Sequence, residues 1–162
     1  MARVYVSIGS NIEREANIRG GVADLRSRFG ELELSQVYES AAVGFDGDNF
    51  YNLVAAFETD KSVQEVAATL HAIEDEHGRT REGPRFSSRT LDIDMLLYDD
   101  LVLQQGKLEL PRDEITKNAF VLWPLAEIAP ELEHPVLKQS YATLWQAFDK
   151  EKQPLWPIPF AW

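Results

Sequence analysis

The sequence predicts an α+β fold, an antiparallel sheet with helices packed on it. Three observations predict it. Four segments have the apolar pattern of strands, at residues 3–8, 32–39, 50–59 and from 91 onward. Two segments carry apolar residues at helical spacing, one ending at Gly30 and one over residues 61–78. Their order, strand-helix-strand-strand-helix-strand, is the split βαβ or ferredoxin-like arrangement, which puts both helices on one face of the sheet.

Each element follows from local chemistry. RVYVSI alternates into a strand expected to end at the turn Gly9-Ser10-Asn11. Ala16, Val22, Leu25 and Phe29 supply the stripe of the first helix, and Gly30 stands where a C-terminal cap belongs. LELSQVYE reads as one strand, SAAVGFDGDN as a loop of small residues, and FYNLVAAFET as a strand rich in aromatic residues. In the second helix Ser62 and Glu65 form a capping box, Val63, Val66, Ala67, Leu70 and Ile73 form the stripe, and Gly78 ends it. The loop RTREGPRFSSR then leads into LDIDMLLY, where Leu91, Ile93, Met95 and Leu97 fall on one face and Asp92 and Asp94 on the other. NAFVLWPLAEIAPEL and SYATLWQAFDK are expected to be further helical cover. The tail QPLWPIPFAW, with three prolines, is expected to run extended and strap the body, a dimer contact being the alternative.

The chain of 162 residues, 44% hydrophobic, fits one domain over 1–162 with a single core. It has no cysteine, which excludes disulfides, thiolate metal sites and a cysteine nucleophile. The apolar run near the start is too short for a signal-peptide core or a membrane span, so a cytoplasmic location is expected. A net charge of −11 opposes nucleic acid and anionic membranes, and neither is expected as a partner. There is no P-loop and no dinucleotide fingerprint, and His71, His77 and His134 stand in no nucleophile motif.

Asp92 and Asp94 pose the sharper question. Two carboxylates at i and i+2 on one strand face repel unless something positive sits between them. Just before the strand lie Arg79, Arg81, Arg85 and Arg89, a local cluster in an acidic chain. Arginine forks suit phosphate oxygens, and paired carboxylates are the hard ligands Mg²⁺ takes in nucleotide sites. Carboxylates, magnesium and a polyphosphate would solve one another's charge problem. The alternative is that the arginines pair with surface acids and the aspartates merely face solvent.

The run RTLDIDMLLYDD, preceded by EDEHGRTR and followed by FVLWPLAEIAPEL, resembles the 6-hydroxymethyl-7,8-dihydropterin pyrophosphokinase family of the folate pathway. VSIGSN near the start and the stretch from Tyr38 to Asn52 also match, so the resemblance covers nearly the whole chain. It implies the ferredoxin-like fold and a reaction that moves the β,γ-pyrophosphate of ATP to the pterin hydroxymethyl group, releasing AMP. It also implies a cofactor requirement of two Mg²⁺ ions. Carried onto this chain, Asp92 and Asp94 are the metal ligands and, with Arg79 and Arg89, the catalytic set. Arg79, Arg81, Arg89 and Arg112 meet phosphates, and His71 and Glu74 stand on the nucleotide side. Phe50 and Phe120 stack on the pterin, Asn52 reads its edge, and the backbone around Ser40 and Val43 completes its site. Small-molecule substrates and a monomer are expected. Without the resemblance Phe50 and Phe120 read as core residues, since aromatics at strand and helix ends usually pack.

The chain departs from the family pattern in specific places. Ala41 and Ala42 replace two prolines, Phe86 replaces a tryptophan, and Ser87 and Ser88 replace Gly-Pro. In LPRDEITKNAF, Arg112 stands for a histidine and Asn118 for an arginine that contact ATP in the family, with Lys107 and Lys117 nearby as substitutes. Two alternatives therefore stand beside the active enzyme: a divergent paralogue acting on another heterocyclic alcohol, and a non-catalytic pterin- or nucleotide-binding module. Intact Asp92 and Asp94 favour an enzyme, since a mere binder has little need of two metal ligands. An RNA-binding ferredoxin-like domain would need a basic sheet face, which the charge opposes.

Overall fold

The computed structural model describes residues 1–41, 49–78 and 91–162. Strand β1 (Ala2–Ser10) leads to helix α1 (Arg14–Phe29), short strand β2 (Glu33–Leu34), β3 (Val37–Ser40) and β4 (Phe50–Thr59). Helix α2 (Val63–Glu76) and strand β5 (Asp92–Tyr98) complete the expected order. A hairpin of β6 (Leu103–Gln105) and β7 (Leu108–Leu110), helices α3 (Ala119–Ile128) and α4 (Tyr141–Ala147), and strand β8 (Leu155–Ile158) follow. The main sheet runs β5-β1-β4-β3-β8, with β2 also paired to β4, and every pairing is antiparallel. In its first four strands this is the ferredoxin-like order.

Alternation along the strands divides the side chains between two layers. Val4, Val6 and Ile8 of β1 and Leu53, Ala55 and Phe57 of β4 meet Ile18, Val22 and Leu25 of α1 and Val66, Leu70 and Ile73 of α2. Both helices thus lie on one face. Phe29 stacks on Phe57 with ring centroids 4.1 Å apart. On the opposite face Tyr5, Val54, Ala56, Leu96 and Leu97 are covered by α3 and α4 through Val121, Leu122, Leu125 and Tyr141. That cover meets the apolar half of the face. The polar half, with Asp92, Asp94 and Asn52, holds the site described below.

Several expectations are corrected. Ala16 is exposed and Ile18 fills its place, because Ala16 lies about half a turn away from the stripe formed by Ile18, Val22 and Leu25. β1 continues through Gly9 and Ser10 instead of stopping at Ile8. LELSQVYE is broken in two at Ser35: the Ser35 hydroxyl accepts the Val54 N–H at 2.9 Å in place of a backbone carbonyl, and the ladder resumes at Val37. The period-2 reading of β5 fails at Leu97. A bulge lets Tyr5 face Leu97 while the next residue, Val6, faces Met95, so Leu97 joins the α3 and α4 layer. The β6–β7 hairpin had no counterpart among the expected elements.

The capping box forms as the sequence indicates: Ser62 Oγ accepts from Glu65 N at 3.2 Å, and Glu65 Oε1 accepts from Ser62 N at 3.0 Å. Gly30 ends α1 at φ 86°, a conformation that favours glycine. The tail pairs with β3 as β8, with Pro157 opposite Tyr38, so proline stands on an edge strand, where a missing N–H costs little. Phe160 meets Tyr51 edge-on, and Arg19 donates to Ala161 O at 2.7 Å. Trp156 and Trp162 stay largely exposed, so one of the three tail aromatics docks and two do not.

Candidate active site

The polar half of the sheet face is built by register. Asp94 faces Ser7 and Asp92 faces Gly9 across β5 and β1. Gly9 in turn faces Asn52 across β1 and β4, and Asn52 faces Tyr38 on β3. Directly opposed residues share a face, so Asp92, Gly9 and Asn52 form one row across three strands. With strands about 4.8 Å apart, the carboxylate and the amide are rooted roughly 10 Å from each other.

Asn52 is buried, and its Nδ2 donates to Ser40 Oγ, also buried, at 3.2 Å. A Cβ at Gly9 would come within 2.6 Å of Asn52 Oδ1. The bare glycine is what lets the amide lie flat across β1. Gly9 and Ser7 are not among the site residues expected from the sequence. The signal was there: both are small residues on the polar face of a strand whose apolar face is core.

Asp92 and Asp94 stand side by side at the edge of this face, each half-buried. Arg112 reaches them from the segment after β7, with Nη2 3.4 Å from Asp94 Oδ1 and 3.3 Å from Glu114 Oε1. Its backbone N–H donates to Leu96 O at 3.0 Å, which ties the segment to β5. Burial works against the Arg112 charge, but Asp94, Glu114 and Asp92 outweigh it and hold the guanidinium above its ordinary range. Arg112 Nε is buried and has no hydrogen-bond partner among the described residues.

Glu74 is buried beneath the same strand, and its Oε2 accepts the Ile93 N–H at 2.8 Å. Ile93 lies between the two aspartates, so Glu74 fixes the backbone from which both project. A glutamate on a helical stripe is not legible as such a clamp from spacing alone. His71, on the same helix, is exposed. Phe50, half-buried, opens β4 on the face of Asn52, and Phe120, half-buried, lies in the first turn of α3. Asn118 precedes that helix, and Lys117 pairs with Asp113 at 2.6 Å. Arg79, Arg81, Arg85, Arg89 and Val43 lie outside the described residues.

Among the described residues no group of three or more His, Asp or Glu side chains could hold a metal unaided. Two adjacent carboxylates fit Mg²⁺ nonetheless, because this ion is commonly held by one or two carboxylates with waters and substrate phosphates filling its other positions. A cleft of about 350 Å³ adjoins the site, lined by Arg112 with Leu103, Pro111, His134 and Leu137. A larger one, about 430 Å³, lies at the start of α1 beside Arg14, Arg19 and Tyr51 and touches none of the expected site residues. Chemistry rather than size points to the aspartate face.

The profile of the 7,8-dihydro-6-hydroxymethylpterin-pyrophosphokinase (HPPK) family matches residues 5–130. The chain belongs to the HPPK family. It is 37% identical over 142 residues to the 2-amino-4-hydroxy-6-hydroxymethyldihydropteridine pyrophosphokinase of Aquifex aeolicus, covering 86% of this chain and 88% of that one. The Pseudomonas aeruginosa enzyme of the same name is 38% identical over 137 residues, covering 82% and 84%. Among solved structures, an HPPK-DHPS in complex with substrates aligns with TM-score 0.73 at 10% identity, over 93% of this chain and 44% of that longer one. Plasmodium falciparum HPPK-DHPS with pteroate aligns with TM-score 0.71 at 14% identity, over 90% and 42%. The chain thus spans less than half of these fused proteins, and at such identities the likeness bears on the HPPK fold alone.

Proposed function

We propose that this protein transfers a pyrophosphoryl group from ATP to the hydroxymethyl group of 6-hydroxymethyl-7,8-dihydropterin, giving AMP and the pterin diphosphate in folate biosynthesis. Membership of the HPPK family supports the reaction class. The observation that carries the reading is the row Asp92, Gly9, Asn52, which joins a carboxylate pair and a fixed amide on one sheet face.

In this reading Asn52, oriented by Ser40, matches the donor and acceptor edge of the pterin, while Phe50 and Phe120 stack on the ring. The separation of roughly 10 Å between the two ends leaves room for a bicyclic ring with its hydroxymethyl arm directed at the aspartates. Asp92 and Asp94 would hold Mg²⁺, two ions in the full assembly, which when bound neutralise phosphate oxygens and polarise the reacting group. Glu74 keeps the aspartates in place through Ile93, and Arg112 supplies positive charge beside them. Arg79, Arg81 and Arg89 are assigned to the triphosphate, and Arg79 and Arg89 to the transition state. Displacement at phosphorus needs alignment and charge neutralisation more than covalent help, and no general base is assigned.

The test is product analysis of the purified protein with ATP, Mg²⁺ and the hydroxymethyl dihydropterin. AMP together with the pterin diphosphate is expected. ADP would make the protein a simple kinase, and no turnover would make it a binding module.

A further inference from the structure

Arg112 pairs with a carboxylate of the site, yet the pairing is loose. A strong arginine–carboxylate contact is a two-point fork with bonds of about 2.7–2.9 Å. Arg112 instead shares one nitrogen, Nη2, between Asp94 at 3.4 Å and Glu114 at 3.3 Å. Its Nε is buried with no hydrogen-bond partner among the described residues. Its main chain, by contrast, is fixed to Leu96. The side chain is therefore held near Asp94 by charge, from an anchored base, in a seat that leaves part of its bonding capacity unused.

We propose that Arg112 is an exchangeable counter-ion of the Asp92 and Asp94 pair. It offsets their repulsion when no metal is present, and yields Asp94 to a divalent cation that arrives with nucleotide phosphates. The guanidinium then moves onto those phosphates, a geometry its planar fork suits better than the present one. Glu114, two residues along, keeps a contact through the exchange. A guanidinium cannot discharge near neutral pH, so it leaves Asp94 only by exchange, whereas a histidine could shed its charge. Metal alone must displace the arginine and gives it nothing in return. Metal with nucleotide displaces it and gives it a phosphate, so the two ligands bind cooperatively.

This rests on the reading of Asp92 and Asp94 as metal ligands, and the test separates the two. Binding of Mn²⁺ alone is followed by electron paramagnetic resonance, and binding of Mg²⁺ with a non-hydrolysable ATP analogue by calorimetry, in the wild type, Arg112→Gln, Arg112→Lys and Asp94→Asn. Removing a neighbouring positive charge should tighten Mn²⁺ binding in Arg112→Gln by about fivefold to tenfold, while nucleotide binding weakens by a similar factor. Arg112→Lys should stay near the wild type for Mn²⁺, and Asp94→Asn should lose it. If Asp94→Asn loses Mn²⁺ but Arg112→Gln binds it no more tightly than the wild type, the metal reading stands and the counter-ion is refuted. If neither the wild type nor Arg112→Gln binds Mn²⁺, both fall. Should Arg112→Gln fail to fold, Glu114→Gln decides: it removes the charge that competes with Asp94 for the guanidinium and should weaken Mn²⁺ binding, and unchanged binding refutes the proposal.

Discussion

Asp92 and Asn52 stand in one row across the sheet with Gly9 alone between them. The strand that separates them contributes no side chain at that point, so Asn52 Oδ1 can lie over Gly9 while Nδ2 donates to Ser40 on the other side. The two ends of the proposed transfer are set on rigid backbone, and their separation is a property of strand spacing.

Gly9→Ala should therefore damage one end selectively. Its methyl group would collide with Asn52 Oδ1, which must turn from Ser40 or lift away. The loss of one buried hydrogen bond, about 1–1.5 kcal/mol, translates to roughly a tenfold rise in the pterin KM. The ATP KM should change far less, and steady-state kinetics with each substrate varied in turn checks this.

The tail should contribute to stability more than to nucleotide binding. β8 pairs with four residues of β3, and Phe160 docks against Tyr51. Deleting residues 154–162 removes these contacts and leaves β3 as a bare edge, which invites pairing between molecules. A fall in Tm of several degrees, consistent with a loss of about 1–3 kcal/mol, is expected by thermal denaturation, with little change in ATP affinity. An unchanged Tm would show the tail to be a loose appendage.

His134 should make stability depend on pH. It is buried, and burial holds its pKa below the ordinary histidine value. Its Nδ1 accepts from the N–H groups of Val136 and Leu137, both at 3.2 Å, which a proton there would prevent. The unfolded chain takes the proton more readily, so this contribution is fully present above about pH 6.5 and is lost as pH falls toward the depressed folded value. Denaturant titrations between pH 7.5 and 5 should show wild-type stability falling more steeply than that of His134→Asn. Parallel curves would remove His134 from the account.

The fold was legible where local and global signals agreed. The capping box at Ser62, the glycine ending α1 and the opposite faces of Asp92 and Ile93 follow from spacing, and the strand-helix order dictated the topology. Features that depend on a partner strand were not legible. The bulge that turns Leu97 over arises from pairing with Tyr5 and Val6, and the break at Ser35 from a hydroxyl meeting Val54. In the site, the aspartates announced themselves by breaking an apolar run. Gly9 and Glu114 act through neighbours or charges whose partner the sequence does not name, and Glu74, expected on the nucleotide side, shows its bond to the Ile93 N–H only in the folded chain.

If Asp92 and Asp94 form the centre of pyrophosphoryl transfer, single-turnover formation of AMP from ATP, Mg²⁺ and the hydroxymethyl dihydropterin should collapse in Asp94→Asn. Asp94 is half-buried and lies on the polar face rather than in either core cluster, so the variant should fold, which circular dichroism and Tm can establish. The rate should fall by about a hundredfold or more, the scale set by losing one preorganised charge interaction at a reacting phosphate. A folded Asp94→Asn protein that forms AMP within a few-fold of the wild-type rate would contradict this assignment.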